Sequence, residues 1–380
     1  MAKDPILVVL FLRGGADGLN LIAPSGDTDY IAARPPFLRV VRKGDDAGHL
    51  LSHQVADVDF RFHSQAGELA ELFEAKELAV IHAAGLTDGT RSHFDAEDRM
   101  ERAANGTNAG GWLGRWLNGA GLEGELPALA VGTSAPESTR GSSDVAVAEQ
   151  MEQLIIAADH DLSPLLRKRL RAGFGSHDLL GAPIERLITL SQTLETRLLN
   201  PETGELGPYR PSVDYPEENT LSEPLRTVAQ AIKLDLGMRV ATVDFGGWDT
   251  HMDQSGDFAD QTATLSSALM AFWRDLGEAR EHTCVVVMSE FGRRLRSNSS
   301  GGTDHGFGNA MMVLGGTVDG GKMLGEWPGL VNDALDDGAD LAITTDYRHV
   351  LGEVMNKHMA AQDLNAIFPD FTHQPRGVFG

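Results

Sequence analysis

The segment RVATVDFGGWDTH, residues 239–251, runs from apolar residues through two glycines to Asp249 and His251. A second segment, TCVVVMSEFGRR at 283–294, has the same pattern, and Glu290 directly follows its apolar run. Such apolar, β-branched runs are typical of strands buried on both faces of a parallel sheet. Carboxylates and imidazoles just past such strands are typical of α/β enzymes, which use them for metal binding or acid–base chemistry. The two segments therefore predict an α/β fold with a site at the carboxyl edge of its sheet.

Two short motifs supply candidate metal ligands. Asp249 and His251 are two residues apart, so in an extended loop their side chains point the same way and could grip one ion. Asp304 and His305 lie in the glycine-rich stretch GGTDHGFGN, and histidines in irregular loops are commonly functional. Because the ends of parallel strands share one edge of a sheet, we expect these residues to converge with Glu290.

Glu290 has two interpretations. A carboxylate directly after a buried strand is costly unless it is paired or bound to a metal. The partner is either a metal ion or one of the arginines that follow, Arg293 and Arg294.

The stretch RGGADGLN, directly after the apolar run 6–12, is a candidate anion-binding loop. Gly14 and Gly15 permit tight turns and a close backbone approach to an anion. Arg13 could clamp a phosphate or sulfate in a bidentate way, and Asp17 could bind a metal. The alternative is a glycine turn with an internal ion pair between Arg13 and Asp17, since the motif lacks the spacing of known phosphate-binding loops.

The stretch RSHFDAED places the catalytic candidates, Ser92 and His93, at the start of a predicted helix. The exposed amides and the dipole of a helix start suit an anion and could activate a hydroxyl nucleophile. The alternative is that Ser92 only caps the helix. We expect the anion pocket to lie between Arg13 and this helix, with strands 6–12 and 78–83 as neighbours in the sheet.

Alternating strands and helices predict one domain, residues 1–380, with a doubly wound sheet. Strands are expected at 6–12, 78–83, 126–131, 239–245, 283–288 and 310–315, and helices at 67–76, 92–103, 257–279 and 347–358. Residues 145–200 have Leu, Glu, Gln and Arg at helical spacing without a strand signal, so we expect a helical insertion over 145–235.

The composition excludes several classes of protein. The formal net charge of -23 argues against nucleic acid and anionic membrane surfaces, which both attract clustered Lys and Arg. No apolar run approaches the ~18 residues of a membrane span, so no membrane insertion is expected. The single cysteine, Cys284, permits neither an intrachain disulfide nor a cysteine zinc site. Without a signal peptide or a twin-arginine pair, the chain as written is expected in the cytoplasm; a removed signal would make it periplasmic or exported.

The motifs, in this order, resemble a bacterial family, the domain of unknown function 1501. The matching segments are LFLRGGADGLN, SHFDAEDRMERA, GGWLGRWLN, VATVDFGGWDTHMDQ, VVVMSEFGRRLRSNSSGGTDHGFGNAMMVLGG and TTDYRHVLGEVM. Members of that family resemble alkaline phosphatases and sulfatases. The resemblance implies a three-layer α/β/α sandwich, alkaline-phosphatase-like, with a mostly parallel sheet and a metal site at the strand ends.

The resemblance also implies a ligand set. Enzymes of that superfamily hold two divalent metals, usually zinc or manganese, with magnesium and calcium as alternatives here. Asp249 and His251 resemble the metal-binding aspartate and histidine, His305 resembles the late histidine ligand, and Ser92 falls in the region of the nucleophile.

The chain departs from that pattern at two strand ends. Arg13 stands where an aspartate is usual, and Glu290-Phe291 stands where an Asp-His pair is usual, so at least one histidine ligand is expected to be missing. One metal, or a metal-free anion site, is then the alternative to two metals. The leading hypothesis is a hydrolase of small or polymeric phosphate or sulfate esters. The alternative is a binding or scaffold protein that kept the fold and lost part of the metal site.

Overall fold

The computed structural model describes residues 3–53, 55, 57–104, 110–156, 162–174, 180–198, 200 and 207–380. The strands are β1 (Ile6–Leu12), β2 (Ile22–Pro24), β3 (His49–Leu50), β4 (Phe60–Phe62), β5 (Leu78–Gly85), β6 (Ala128–Val131), β7 (Val145–Ala148), β8 (Val240–Phe245), β9 (Thr283–Met288), β10 (Asn309–Gly315), β11 (Met323–Leu324) and β12 (Thr345–Asp346). The α-helices are α1 (Gly18–Leu21), α2 (Thr28–Ala33), α3 (Gly67–Glu74), α4 (His93–Arg102), α5 (Trp112–Gly119), α6 (Ser163–Gly173), α7 (Gly181–Leu198), α8 (Ser222–Lys233), α9 (Gln254–Asp275), α10 (Tyr347–Glu353) and α11 (Leu364–Ile367).

In the described part of the chain, nine strands form one sheet in the order β11-β5-β10-β9-β1-β8-β6-β7, with β12 beside β5. The central strand β1 pairs in parallel with β8 and β9, so that Leu7 lies opposite both Val240 and Cys284. β10 runs antiparallel to both its neighbours, β5 and β9. The expectation that strands 6–12 and 78–83 are neighbours is therefore wrong, because β9 and β10 lie between β1 and β5.

Helices cover both faces of this sheet. Along β1, Val8 and Leu10 pack into a core with α3, α8 and α9, whereas Leu7, Val9 and Phe11 pack into a second core with α4, α5 and α10. Burial of a valine or leucine side chain stabilises a fold by roughly 1.5–3 kcal/mol, so a strand covered on both faces is apolar throughout. The predicted three-layer α/β/α fold with a mostly parallel sheet is confirmed.

The region expected to form a helical insertion begins with a strand. β7 extends the sheet in parallel beside β6, so residues 145–148 belong to the sheet. After it, α6 and α7 are joined by ion pairs such as that between Arg167 and Glu195, and α8 packs beneath β6 and β8. β7 escaped the sequence pattern because it is a short edge strand whose residues are only partly buried. None of the helices that the structure describes combines the length and the apolar character that crossing a membrane would require.

Candidate metal centre

Three histidines and one aspartate meet at the carboxyl edge of the sheet. His93 begins α4, Asp249 and His251 follow β8, and His305 lies between β9 and β10. The Nε2 atom of His305 is 2.9 Å from that of His93 and 2.8 Å from that of His251. Asp249 Oδ1 lies 3.0 Å from His251 Nε2, 3.3 Å from His305 Nε2 and 3.4 Å from His93 Nε2. A tetrahedral zinc ion with bonds of ~2.0–2.1 Å holds its ligand atoms ~3.3 Å apart. The candidate ligand atoms of His93, Asp249 and His305 all lie within 4.8 Å of one another, so these three residues could share one ion. His251 Nε2 lies beside the Asp249 and His305 atoms of this group.

The second ring nitrogen of each histidine has a hydrogen-bond acceptor. The contacts are His93 Nδ1 to Glu290 Oε1 at 2.6 Å, His251 Nδ1 to Asp304 Oδ1 at 3.2 Å, and His305 Nδ1 to the backbone oxygen of Arg91 at 2.7 Å. An Nδ1–H that donates to such an oxygen leaves the lone pair on Nε2, which is the tautomer that binds a metal. Three lone pairs that face one another at these distances repel unless a proton or a metal ion lies between them. The donor set therefore fits a bound metal ion.

Asp249 is held in its ionised form by a buried arginine. Burial raises the pKa of its carboxyl group, but the hydrogen bond and the charge of Arg293 outweigh this effect and lower the pKa to about 2. The two side chains are 2.6 Å apart. The remaining guanidinium donors bind the backbone oxygens of Gly14, Gly15 and Thr303. A permanently charged carboxylate is the form that a metal ion requires.

The glycine loop after β1 binds the side chains of Glu290 and Arg293. Gly14 has φ +119, and a Cβ atom there would lie 2.5 Å from the amide nitrogen of Asp249, so only glycine fits. Its amide donates to Glu290 Oε1 at 2.9 Å, while the carbonyls of Gly14 and Gly15 accept from Arg293. Anion binding by Gly14 and Gly15 stays a prediction. In the structure the loop holds Glu290 and Arg293 in place.

Glu290 orients His93 from a fully buried position. Its Oε1 accepts from His93 and from the amide of Gly14, and its Oε2 accepts from Ser289 Oγ at 3.0 Å. The two arginines that follow it pair elsewhere, with Asp249 and Asp340. The partner of Glu290 is thus a histidine, and neither interpretation from the sequence anticipated it. Asp304 has the equivalent position behind His251.

Asp17 lies in a separate buried ion pair. Its two oxygens accept from Arg34 at 2.6 and 2.9 Å, and Gln254 donates to the same carboxylate at 2.7 Å. Both charged side chains are 0% exposed. The alternative of an ion pair between Arg13 and Asp17 is wrong, and the oxygens of Asp17 are already engaged by Arg34 and Gln254.

Arg13 is surrounded by carboxylates. Its guanidinium lies 2.9 Å from Asp244 and 3.6 Å from Glu97, and it also pairs with the buried Glu101. An anion would have to displace one of these groups, so anion binding by Arg13 stays a prediction with a competing partner. Burial raises the pKa of Glu97 to about 7, and this carboxyl group can therefore exchange a proton near neutral pH.

Ser92 and His93 have different surroundings. Ser92 is exposed and precedes α4, but its side chain accepts no hydrogen bond from the described amides of that helix. Simple capping by Ser92 is therefore wrong, and its catalytic role stays a prediction. His93 Nε2 lies near His305 and Asp249, so it is placed where it could supply the histidine that the family resemblance implied to be missing.

Three further residues support the centre in roles that were not predicted from the sequence. Arg293 holds Asp249, and Asn298 donates to Asp304 Oδ1 at 3.0 Å. Phe291 packs in a tilted arrangement against His93 and His305, with ring centroids 4.8 and 4.9 Å away. The sequence signal that could have identified Phe291 and Arg293 is their position next to Glu290, because residues just past a buried strand lie at the same edge of the sheet.

Replacement of Glu290 by glutamine is expected to weaken zinc binding about 10–100-fold, because the neutral amide no longer increases the basicity of His93. A competition titration with a chromogenic zinc chelator would measure this change. Glu353→Gln is the matched control, since Glu353 is also buried but accepts from the backbone amides of Arg376, Gly377 and Phe379. Equal zinc affinity in Glu290→Gln and the wild type would contradict the assigned role.

Comparison with solved structures shows similarity in fold alone. Ps i-CgsB is 11% identical, with 97% of this chain and 74% of that chain covered and a TM-score of 0.43; it has also been solved in complex with k-i-k-neocarrahexaose. An alkaline phosphatase from the Antarctic bacterium TAB5 is 10% identical, with 82% and 92% covered and a TM-score of 0.37. The PsFucS1 sulfatase from Pseudoalteromonas sp. is 12% identical, with 84% and 64% covered and a TM-score of 0.34.

A comparison with curated proteins gives no match. A family model described as "Protein of unknown function (DUF1501)" matches residues 82–362, well over half of the chain. This range includes His93, Asp249, His251 and His305. The chain therefore belongs to the DUF1501 family, as the resemblance of its motifs implied.

Proposed function

We propose that the protein is a metal-dependent hydrolase of phosphate or sulfate esters, with one divalent ion held by His93, Asp249 and His305 and with His251, which lies beside the last two, as the fourth proposed ligand. The observation that carries the proposal is the set of three inward-facing Nε2 atoms around a charged carboxylate oxygen. Imidazole ligands suit zinc or manganese better than magnesium or calcium, which prefer oxygen ligands. Zinc is the ion that we propose first.

A single ion is proposed because the other carboxylates are already engaged. Asp17 binds Arg34, Glu290 binds His93, and Asp304 binds His251. Among the residues that the structure describes, the group of possible ligands is the one formed around His93, Asp249 and His305. This arrangement favours one metal over the two that the superfamily resemblance implies.

When bound, the ion would supply positive charge to the oxygens of a tetrahedral ester. Ser92 is the proposed nucleophile, since it is exposed, directly precedes His93 at the start of α4 and makes no capping bond with the described helix amides. Its oxygen would form a bond to phosphorus or sulfur while the bond to the leaving alcohol breaks, and the serine proton would pass to that alcohol. Water would then release phosphate or sulfate and restore the serine.

One observation favours the alternative, a binding protein without turnover. Arg13 and Arg293 are both paired with carboxylates, so neither is free to clamp a substrate anion. A screen of the wild type on aryl phosphates, phosphodiesters and aryl sulfates decides between the two functions, with zinc, manganese, magnesium and calcium each added back. If no substrate is hydrolysed although the protein retains zinc, the binding function replaces the hydrolase.

Replacement of Ser92 by alanine is expected to reduce turnover by on the order of 10³-fold or more, because loss of a nucleophile removes the reaction path through it. Zinc content should stay unchanged, and stability should change by less than ~0.5 kcal/mol, since the hydroxyl caps nothing. Metal analysis, thermal unfolding and steady-state kinetics measure the three quantities. Ser134→Ala is the control, an exposed serine on the loop after β6. Turnover retained in Ser92→Ala would remove Ser92 from the mechanism.

A further inference from the structure

His305 differs from the other two histidines of the centre in the type of group that accepts its Nδ1 hydrogen bond. His93 and His251 donate to carboxylates, whereas His305 Nδ1 lies 2.7 Å from the backbone oxygen of Arg91. A backbone oxygen cannot rotate into place as a side chain can. The orientation of His305 therefore depends on where the chain at Arg91 is fixed.

The side chain of Arg91 fixes that position. Its guanidinium binds Asp340 Oδ2 through Nε at 3.1 Å and also through a terminal nitrogen, and it lies 4.1 Å from the centre of the Phe307 ring. Asp340 is 0% exposed, and its backbone exchanges two hydrogen bonds with Asp336 at 2.9 and 3.0 Å. The anchor is thus a buried carboxylate in a tightly closed turn.

The ion pair between Arg91 and Asp340 also affects the position of His93, a second proposed ligand. Arg91 lies two residues before His93, the first residue of α4. Gly89, in the same loop, lies so close to Phe307 that a Cβ atom there would be 2.6 Å from the ring. Two of the three histidines therefore depend on how this loop is seated against Phe307 and Asp340.

We propose that Arg91 and Asp340 are positioning residues of the metal centre, whose ion pair holds the Arg91 carbonyl against His305 and the start of α4 in place. The inference rests on the proposed metal centre, and neither residue touches the ion. Partners that fix the orientation of a metal-binding histidine typically change metal affinity by about 10–100-fold. An ion pair that only stabilises the fold would leave the zinc affinity of the folded protein unchanged.

Zinc affinity of the full chain, measured by chelator competition, tests the proposal. Arg91→Ala and Asp340→Ala are each expected to weaken binding about 10–100-fold, and the double variant should be no weaker than the single ones, because both act through one contact. Arg91→Lys keeps the charge and one donor and should recover part of the affinity. Nitrogen-15 spectra of the histidines should also show that His305 loses its fixed Nδ1–H form in Asp340→Ala.

The controls separate the possible failures. Arg274→Ala removes an exposed arginine of α9 that pairs with Glu71, and it should bind zinc as the wild type does. If an alanine variant does not fold, Asp340→Asn, which keeps the side-chain volume, is measured in its place. Folded variants that bind zinc within about threefold of the wild type would overturn the positioning role alone. A wild type that binds no zinc would overturn the metal centre itself.

Discussion

Replacement of His305 by alanine is expected to abolish both zinc retention and ester hydrolysis while the protein stays folded. His305 Nε2 is the atom that approaches both other histidines, at 2.9 and 2.8 Å, and it also lies 3.3 Å from Asp249. Its removal would take away one of the proposed ligands and open the centre to water. Metal analysis of the purified variant, with circular dichroism as the measure of folding, gives the result directly.

His305→Ala is a cleaner probe than a change at Asp249. Asp249 is the counterion of the buried Arg293, so Asp249→Ala leaves a buried charge unpaired, which typically costs about 3–5 kcal/mol of stability. The control is His282→Ala, a histidine directly before β9 at the opposite edge of the sheet. Stoichiometric zinc in purified His305→Ala would show that the ion is held elsewhere.

The second large effect is expected at Asp17, where alanine should destabilise the fold by roughly 3–5 kcal/mol. The reason is that Arg34, which is 0% exposed, would lose the carboxylate that accepts two of its hydrogen bonds. The shift in the midpoint of urea unfolding measures the loss. A double variant, Asp17→Leu with Arg34→Met, should recover most of it, since replacing both members of a buried ion pair with apolar residues is often neutral.

This prediction also separates a structural aspartate from a metal ligand. Folded Asp17→Ala should bind zinc as tightly as the wild type. The matched control is Glu71→Ala, which removes an exposed ion pair with Arg274 and should cost no more than about 1 kcal/mol. Loss of zinc without loss of stability in Asp17→Ala would return Asp17 to the ligand set.

The centre has an uneven arrangement of supporting groups. Asp249 is held by a buried cation, two histidines are held by carboxylates, and His305 is held by a backbone oxygen. Only the last contact depends on a distant ion pair. A change in the loops around Asp340 is therefore expected to disturb the hydrogen bond of His305 before those of the other two histidines.

The amino-acid sequence by itself determined the layered fold and the edge at which the site lies. The apolar runs 6–12, 240–245 and 283–288 could be recognised because a strand covered on both faces needs apolar residues throughout, which is a local property of the chain. Because these strands could be recognised, the positions of His251 and His305 after strand ends could also be predicted from the sequence. β7 was not readable, because an edge strand of four partly buried residues carries little of this pattern.

Only the tertiary structure decided which charged groups pair. Glu290 meets His93 across 197 positions of the chain, and Arg91 meets Asp340 across 249. Arg293 was a candidate partner for Glu290, yet it binds Asp249. Strand order decides these pairings, because β10 separates β5 from β9 and so determines which loops lie side by side at the carboxyl edge. The sequence contains many carboxylates and arginines, and any of them could form an ion pair. Only the packing of the strands and loops brings particular ones within hydrogen-bonding distance.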